Sequence, residues 1–174
     1  MFPLEQLLKI QNDFAKSLRH KPTLDQYVFA LNIEIAELLN VLPWKWWKKN
    51  HVVDKAKALD ELADVLAFWF SVYNLLLARI PKVEVDFKLT KELEVIRFNI
   101  EYGIAKEMNV QGLPKAEYIS YETPYTIVNI RTAGRRLGSI IGTVMRHTGA
   151  TVFEITQAYK DKMEVNYTRQ KTEY

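Results

Sequence analysis

The chain's apolar positions recur at helical spacing in a series of separated stretches. From Pro3 to Arg19, Leu4, Leu7, Leu8, Gln11, Phe14, Ala15 and Leu18 mark one face of a helix, and Pro3 suits its first turn. Gln11 is a polar group on this stripe: either an edge residue reaching solvent or an amide aimed into a pocket. His20-Lys21-Pro22 breaks the pattern, and Thr23-Leu24-Asp25-Gln26 has the form of a capping box. A second helix is predicted from there to about Leu42, where Pro43 stops it. A third starts near Asp54, a good N-cap type, and runs to Ala78, with Pro81 beyond. Lys82–Leu89 (KVEVDFKL) alternates weakly and reads as a short extended piece, with Thr90 capping a helix over Lys91–Met108. Gln111–Pro124 is a connection, Tyr125–His147 another helix, and Thr151–Val165 the last, followed by NYTRQKTEY. The fold class is therefore all-α, a helical bundle, in a single domain spanning residues 1–174.

Two of these helices have unusual faces. After Asp64 the third is apolar nearly all round, from Val65 to Leu77, with Asn74 the polar exception. Such a helix must be buried on all sides. It lies either at the centre of one bundle or in a helix–helix dimer interface, and the dimer is the simpler expectation. In the fifth helix Gly134, Gly138 and Gly142 recur every four residues, weakening the helix alone but permitting close contact with a neighbour.

The candidate chemistry lies on the second and third helices. Glu34 and Glu37 are three apart, as are Glu61 and Asp64, so each pair shares a helical face. If the two helices form an antiparallel hairpin, the pairs stand at similar heights. Four facing carboxylates repel one another and resist ionisation. Hard divalent cations between them make the arrangement favourable, and carboxylate oxygens suit Mg²⁺ or Mn²⁺. The plainer reading is a pair of solvated acidic faces. Between the pairs, Trp44-Lys45-Trp46-Trp47-Lys48-Lys49 can stack on a base and meet phosphates, or plug the bundle end. Lys162, Asn166 and Arg169 are spaced four and three apart and share a face if the last helix persists, which would make a polyphosphate clamp; a frayed tail is the alternative.

Composition removes several competing classes. There is no cysteine, so no disulfide framework, thiolate metal site or thiol nucleophile. The N-terminus lacks the pattern of a signal peptide. The longest charge-free apolar run, Val65 to Ala78, is shorter than the roughly 20 residues a membrane span needs, and a cytoplasmic protein is expected. The net charge of +3 is too small to argue nucleic-acid binding. Its distribution is uneven: residues 125–174 carry 8 basic and 4 acidic groups, so this third can face an anion, although a solvated basic face is the bland alternative. A di-iron carboxylate bundle needs Glu-x-x-His on two helices. The residues three before His20, His51 and His147 are Ser17, Lys48 and Val144, so that design is absent. A helical nucleic-acid or protein-binding module remains as a non-enzymatic rival, and predicts no metal dependence.

Glu34/Glu37, then WKWWKK, then Glu61/Asp64, and the ending YKDKMEVNYTRQ together resemble the dimeric all-α dUTPases, of the all-α nucleoside triphosphate pyrophosphatase group that includes MazG-like enzymes. The resemblance covers the first 80 residues and roughly the last 20. It implies Mg²⁺-dependent hydrolysis of dUTP to dUMP and diphosphate, with Mn²⁺ a substitute, by a homodimer. Glu34, Glu37, Glu61 and Asp64 would be the catalytic metal ligands. Gln11, Lys45, Trp46, Trp47, Lys162, Asn166, Arg169 and Gln170 would bind the nucleotide. Residues 82–124 correspond to an inserted helical region that helps close over it. The shared acidic motifs alone do not fix the base, so a dCTPase or another nucleotide pyrophosphatase is the alternative. Neither membrane nor nucleic acid is an expected partner. Compact phage members also bind repressor proteins, a partner these residues do not identify.

Overall fold

A computed structural model of the protein describes residues 1–43, 45, 52–78, 85–109 and 130–172, with only the helical backbone described for 85–92 and 130–132. Among these residues all regular secondary structure is helical: α1 (Leu4–Ser17), α2 (Leu24–Val41), α3 (Lys55–Leu77), α4 (Val85–Asn109), α5 (Ile130–Thr148) and α6 (Val152–Thr172). Local sequence sets the starts. The Thr23 hydroxyl accepts from the Gln26 amide while the Gln26 side chain accepts from the Thr23 amide, a complete capping box. Asp54 accepts from the Lys57 amide to cap α3. Thr151 and Glu154 repeat the reciprocal pattern at α6. Just before it, Gly149 turns the chain with φ at 68°, a conformation that costs other residues more.

Most of the all-round apolar surface of α3 is buried within one chain. The helix packs against α1, α2, α5 and α6, and Val65, Leu66, Ala67, Trp69, Phe70, Val72 and Tyr73 are all buried. One chain therefore supplies most of the cover that the sequence argument assigned to a partner, while Phe68, Leu75, Leu76 and Leu77 stay half-buried. Asn74 donates to the Leu8 carbonyl, anchoring α1 across α3.

Two boundaries also differ from expectation. Residues 85–89 are helical, not extended, and Thr90 lies inside α4. Over a longer window Val85, Leu89, Leu93, Ile96 and Ile100 follow a helical rhythm that the eight-residue alternation conceals, and Ile96 and Ile100 are fully buried. At the other end α6 continues past Val165 to Thr172. Apolar residues thin out there, but the Tyr167 ring meets Phe14 edge-on at 5.1 Å and holds the extra turns against α1. The expected helix start at Tyr125, and the connection from Gln111, lie outside the described residues.

α4 and α5 pack backbone to backbone. A methyl group on Gly138 would fall on the Ile100 carbonyl oxygen, and one on Gly103 on that of Arg135. One on Gly142 would lie 2.7 Å from Glu107 Cβ. Intrinsic helix propensity favours Gly138→Ala by about 1 kcal/mol, whereas overpacking costs about 1–3 kcal/mol. We therefore predict that Gly138→Ala lowers the melting temperature. A rise would show that the helices have room for a side chain at this seam.

Candidate active site

α2 and α3 form an antiparallel hairpin, in which Tyr27 faces Phe68 at 6.4 Å and Glu34 faces Glu61 and Asp64. Leu31, Ile35 and Leu38 on α2, and Leu62, Ala63 and Val65 on α3, are buried and fix both backbones. Above this apolar floor Glu34, Glu61 and Asp64, all half-buried, offer carboxylate oxygens within 4.8 Å of one another. Glu37, the fourth expected ligand, is exposed and outside this trio. Its charge nonetheless reaches Glu34, Glu61 and Asp64 and disfavours their ionisation.

The carboxylates of the cluster oppose one another's ionisation. Burial, then the charges of Asp64, Glu37 and Glu61, push the Glu34 carboxyl up to about 7. Burial and the same neighbours also raise Glu61. Asp64 is raised by burial although Lys162 donates to it. The Lys162 ammonium lies 2.7 Å from Asp64 and 2.8 Å from Asp60. Burial works against that ammonium, but its bonds to Asp60 and Asp64 outweigh the penalty and keep its pKa above the ordinary lysine value. An all-oxygen trio that resists carrying its full negative charge fits a hard divalent cation, which would offset the repulsion.

Gln11 lies in the core, 3% exposed, not at the edge of its stripe. Its Nε2 donates to Ser71 Oγ at 2.9 Å, and its Oε1 accepts from the Tyr159 hydroxyl at 2.8 Å. Ser71 donates its own hydrogen to the Ala67 carbonyl, so it can only accept from Gln11, and the amide orientation is fixed. Of the remaining described nucleotide-binding candidates, Lys45 follows α2 and the others lie on α6, which persists through all of them. Lys45 donates to Asn40. Asn166 and Gln170 are half-buried and Arg169 is exposed, all on the extended part of α6. Trp46 and Trp47 lie outside the described residues.

Residues 3–174 match the dUTPase family. The chain belongs to the dUTPase family. No curated protein matches it. It is a dUTPase of the all-α type, a nucleoside triphosphate diphosphatase that hydrolyses dUTP, and its family is metal-dependent. Among the described residues no helix is long and apolar enough to cross a membrane.

Three residues of this dUTPase escaped sequence reasoning. Asp60 carries a detectable signal, since it stands four residues before Asp64 on one helical face. Ser71 and Tyr159 carry none, because they meet Gln11 only through the tertiary fold.

The raised Glu34 pKa has a definite sign in stability. Between its ordinary value of 4.5 and about 7 the folded state binds more protons than the unfolded chain. The Glu34 contribution therefore falls as pH rises through this window. His147, lowered first by burial and then by Arg146, acts in the opposite sense near its ordinary value of 6.5. Comparison with Glu34→Gln removes that background. In EDTA we predict that the melting temperature of Glu34→Gln gains on wild type from pH 5 to 7.5, and that saturating Mg²⁺ narrows the gap. A pH-independent difference would contradict the electrostatic reading.

Proposed function

We propose that Glu34, Glu61 and Asp64, with Glu37 at their rim, hold Mg²⁺ for dUTP hydrolysis, and that Mn²⁺ can replace it. The convergence of three half-buried, mutually repelling carboxylates carries this reading. A divalent ion bound there supplies charge to the triphosphate and polarises it for attack by water. The protein's own part is positional. Glu34 orients the attacking water and takes up its proton on a carboxylate oxygen. Lys45, Lys162 and Arg169 neutralise phosphate charge. Trp46 or Trp47 stacks on the base, while Asn166 and Gln170 meet base and sugar. Gln11 keeps one N–H and one lone pair beyond its bonds to Ser71 and Tyr159 for the same purpose. The closure assigned to residues 82–124 belongs to this proposal, as do a single domain over 1–174 and a cytoplasmic location.

Asp64→Asn is expected to lower kcat by at least about 100-fold with an unchanged helical circular-dichroism spectrum, on the scale of losing a group that stabilises developing charge. EDTA is expected to abolish turnover of the wild type. A substrate panel of dUTP, dCTP, dTTP and UTP tests the base, and faster turnover of dCTP would move the enzyme to the alternative specificity.

A homodimer is part of the same reading. It rests less on α3 than on α2, where the large apolar side chains Phe29 and Ile33, one turn apart, are 70% and 44% exposed and favour a covered face. Sedimentation equilibrium at micromolar concentration is expected to give twice the chain mass. A stable monomer would remove this element and leave the metal site unaffected.

A further inference from the structure

Lys162 and the carboxylate trio claim the same residue. Asp64 is one of the three groups whose oxygens converge, and its Oδ2 already accepts from the Lys162 ammonium at 2.7 Å. A cation entering the trio would stand close to that ammonium and compete with it for Asp64. Asp60 already shares the ammonium with Asp64. It bonds Lys162 at 2.8 Å, lies outside the converging trio, and is 64% exposed where Asp64 is 24% exposed. Asp60 and Asp64 are one helical turn apart, so a flexible lysine stem can shift its bonding from the inner carboxylate to the outer one without leaving the site.

We propose that Lys162 is a built-in counter-cation of the metal-free site, and that Asp60 is the positioning residue that receives its ammonium when a divalent ion takes Asp64. The proposal rests on the metal reading above and adds a regulatory step to it. With Asp64 bonded to Lys162, the empty site carries less unbalanced negative charge. Metal entry then moves the ammonium to the rim, where a triphosphate arrives. Metal binding and readiness for phosphate are thereby linked through one side chain, and the link carries a thermodynamic signature. Lys162 opposes metal in the absence of nucleotide and favours the metal–nucleotide complex when it is present.

The test is titration of full-length protein with Mn²⁺ alone, free Mn²⁺ being read by electron paramagnetic resonance, and then with a non-hydrolysable dUTP analogue added. Lys162→Gln is expected to tighten binding of Mn²⁺ alone by roughly thirtyfold, the repulsion of a single and a double charge about 4 Å apart in a water-like dielectric. The same variant is expected to weaken binding of the Mn²⁺–analogue complex. Equal or weaker affinity for Mn²⁺ alone would overturn the proposal, because a phosphate ligand with no other role leaves it unchanged and a disturbed fold weakens both. Asp60→Asn is expected to weaken binding of Mn²⁺ alone, and that loss should shrink in the Lys162→Gln background, where there is no ammonium to receive. Strictly additive effects would overturn the role of Asp60. Absence of Mn²⁺ binding by the wild type would overturn the metal-site reading itself, which separates that failure from failure of the Lys162 step.

Discussion

Three carboxylates held together above an apolar floor are a liability that the rest of the molecule has to accommodate. Their backbones cannot draw apart, because α2 and α3 are pinned by buried side chains on either side, Leu31 and Ile35 on one and Leu62 and Val65 on the other. α3 in turn cannot yield, because four other helices surround it. What remains adjustable is charge. Glu34 responds by holding its proton to about pH 7, and α6 responds by supplying Lys162. Rigidity and electrostatic strain thus have one origin, and an attraction for positive charge is stored in the fold.

Much of this was legible in the sequence, for reasons that are local. Proline at 43, the Thr23–Gln26 box and the Asp54 cap are short-range signals, and they place α2 and α3 within a residue of where they lie. Given a hairpin, the three-residue spacing of the acidic pairs brings Glu34, Glu61 and Asp64 together. Glu37 shares the spacing but not the burial, since spacing gives a face and not a depth. Apart from residues 85–89, where too short a window hid the helical rhythm, the misreadings involve partners distant in sequence. Periodicity says that α3 is covered on every side, yet it does not say whether one chain or two supply the cover. The apolar stripe of α1 presents Gln11 as an edge residue because its two partners lie 60 and 148 positions away. The last turns of α6 look solvated until Phe14 is seen against Tyr167.

The two helix pairs solve the packing problem in opposite ways. α2 and α3 meet through large side chains, which set the spacing on which the carboxylates depend. α4 and α5 meet through glycines, so their separation is set by backbone atoms and leaves no rotamer free to adjust. α1 connects these two regions, with Asn74 of α3 bonded to the Leu8 carbonyl, Arg97 of α4 to Glu5, and Glu101 to the Phe2 amide. The glycine-packed pair is thereby fastened to the helix that carries Gln11, and through it to the centre of the bundle.

The position of Lys162 in the chain gives the site a history during synthesis. Its ammonium is separated from Asp64 by 98 residues. A ribosome delivers the α2–α3 hairpin well before α6 exists, so the nascent protein carries its acidic face without the cation that later balances it. Until α6 emerges, that face is screened by dissolved ions alone. α6 brings Lys162 to Asp64 and Tyr159 into the core on one element.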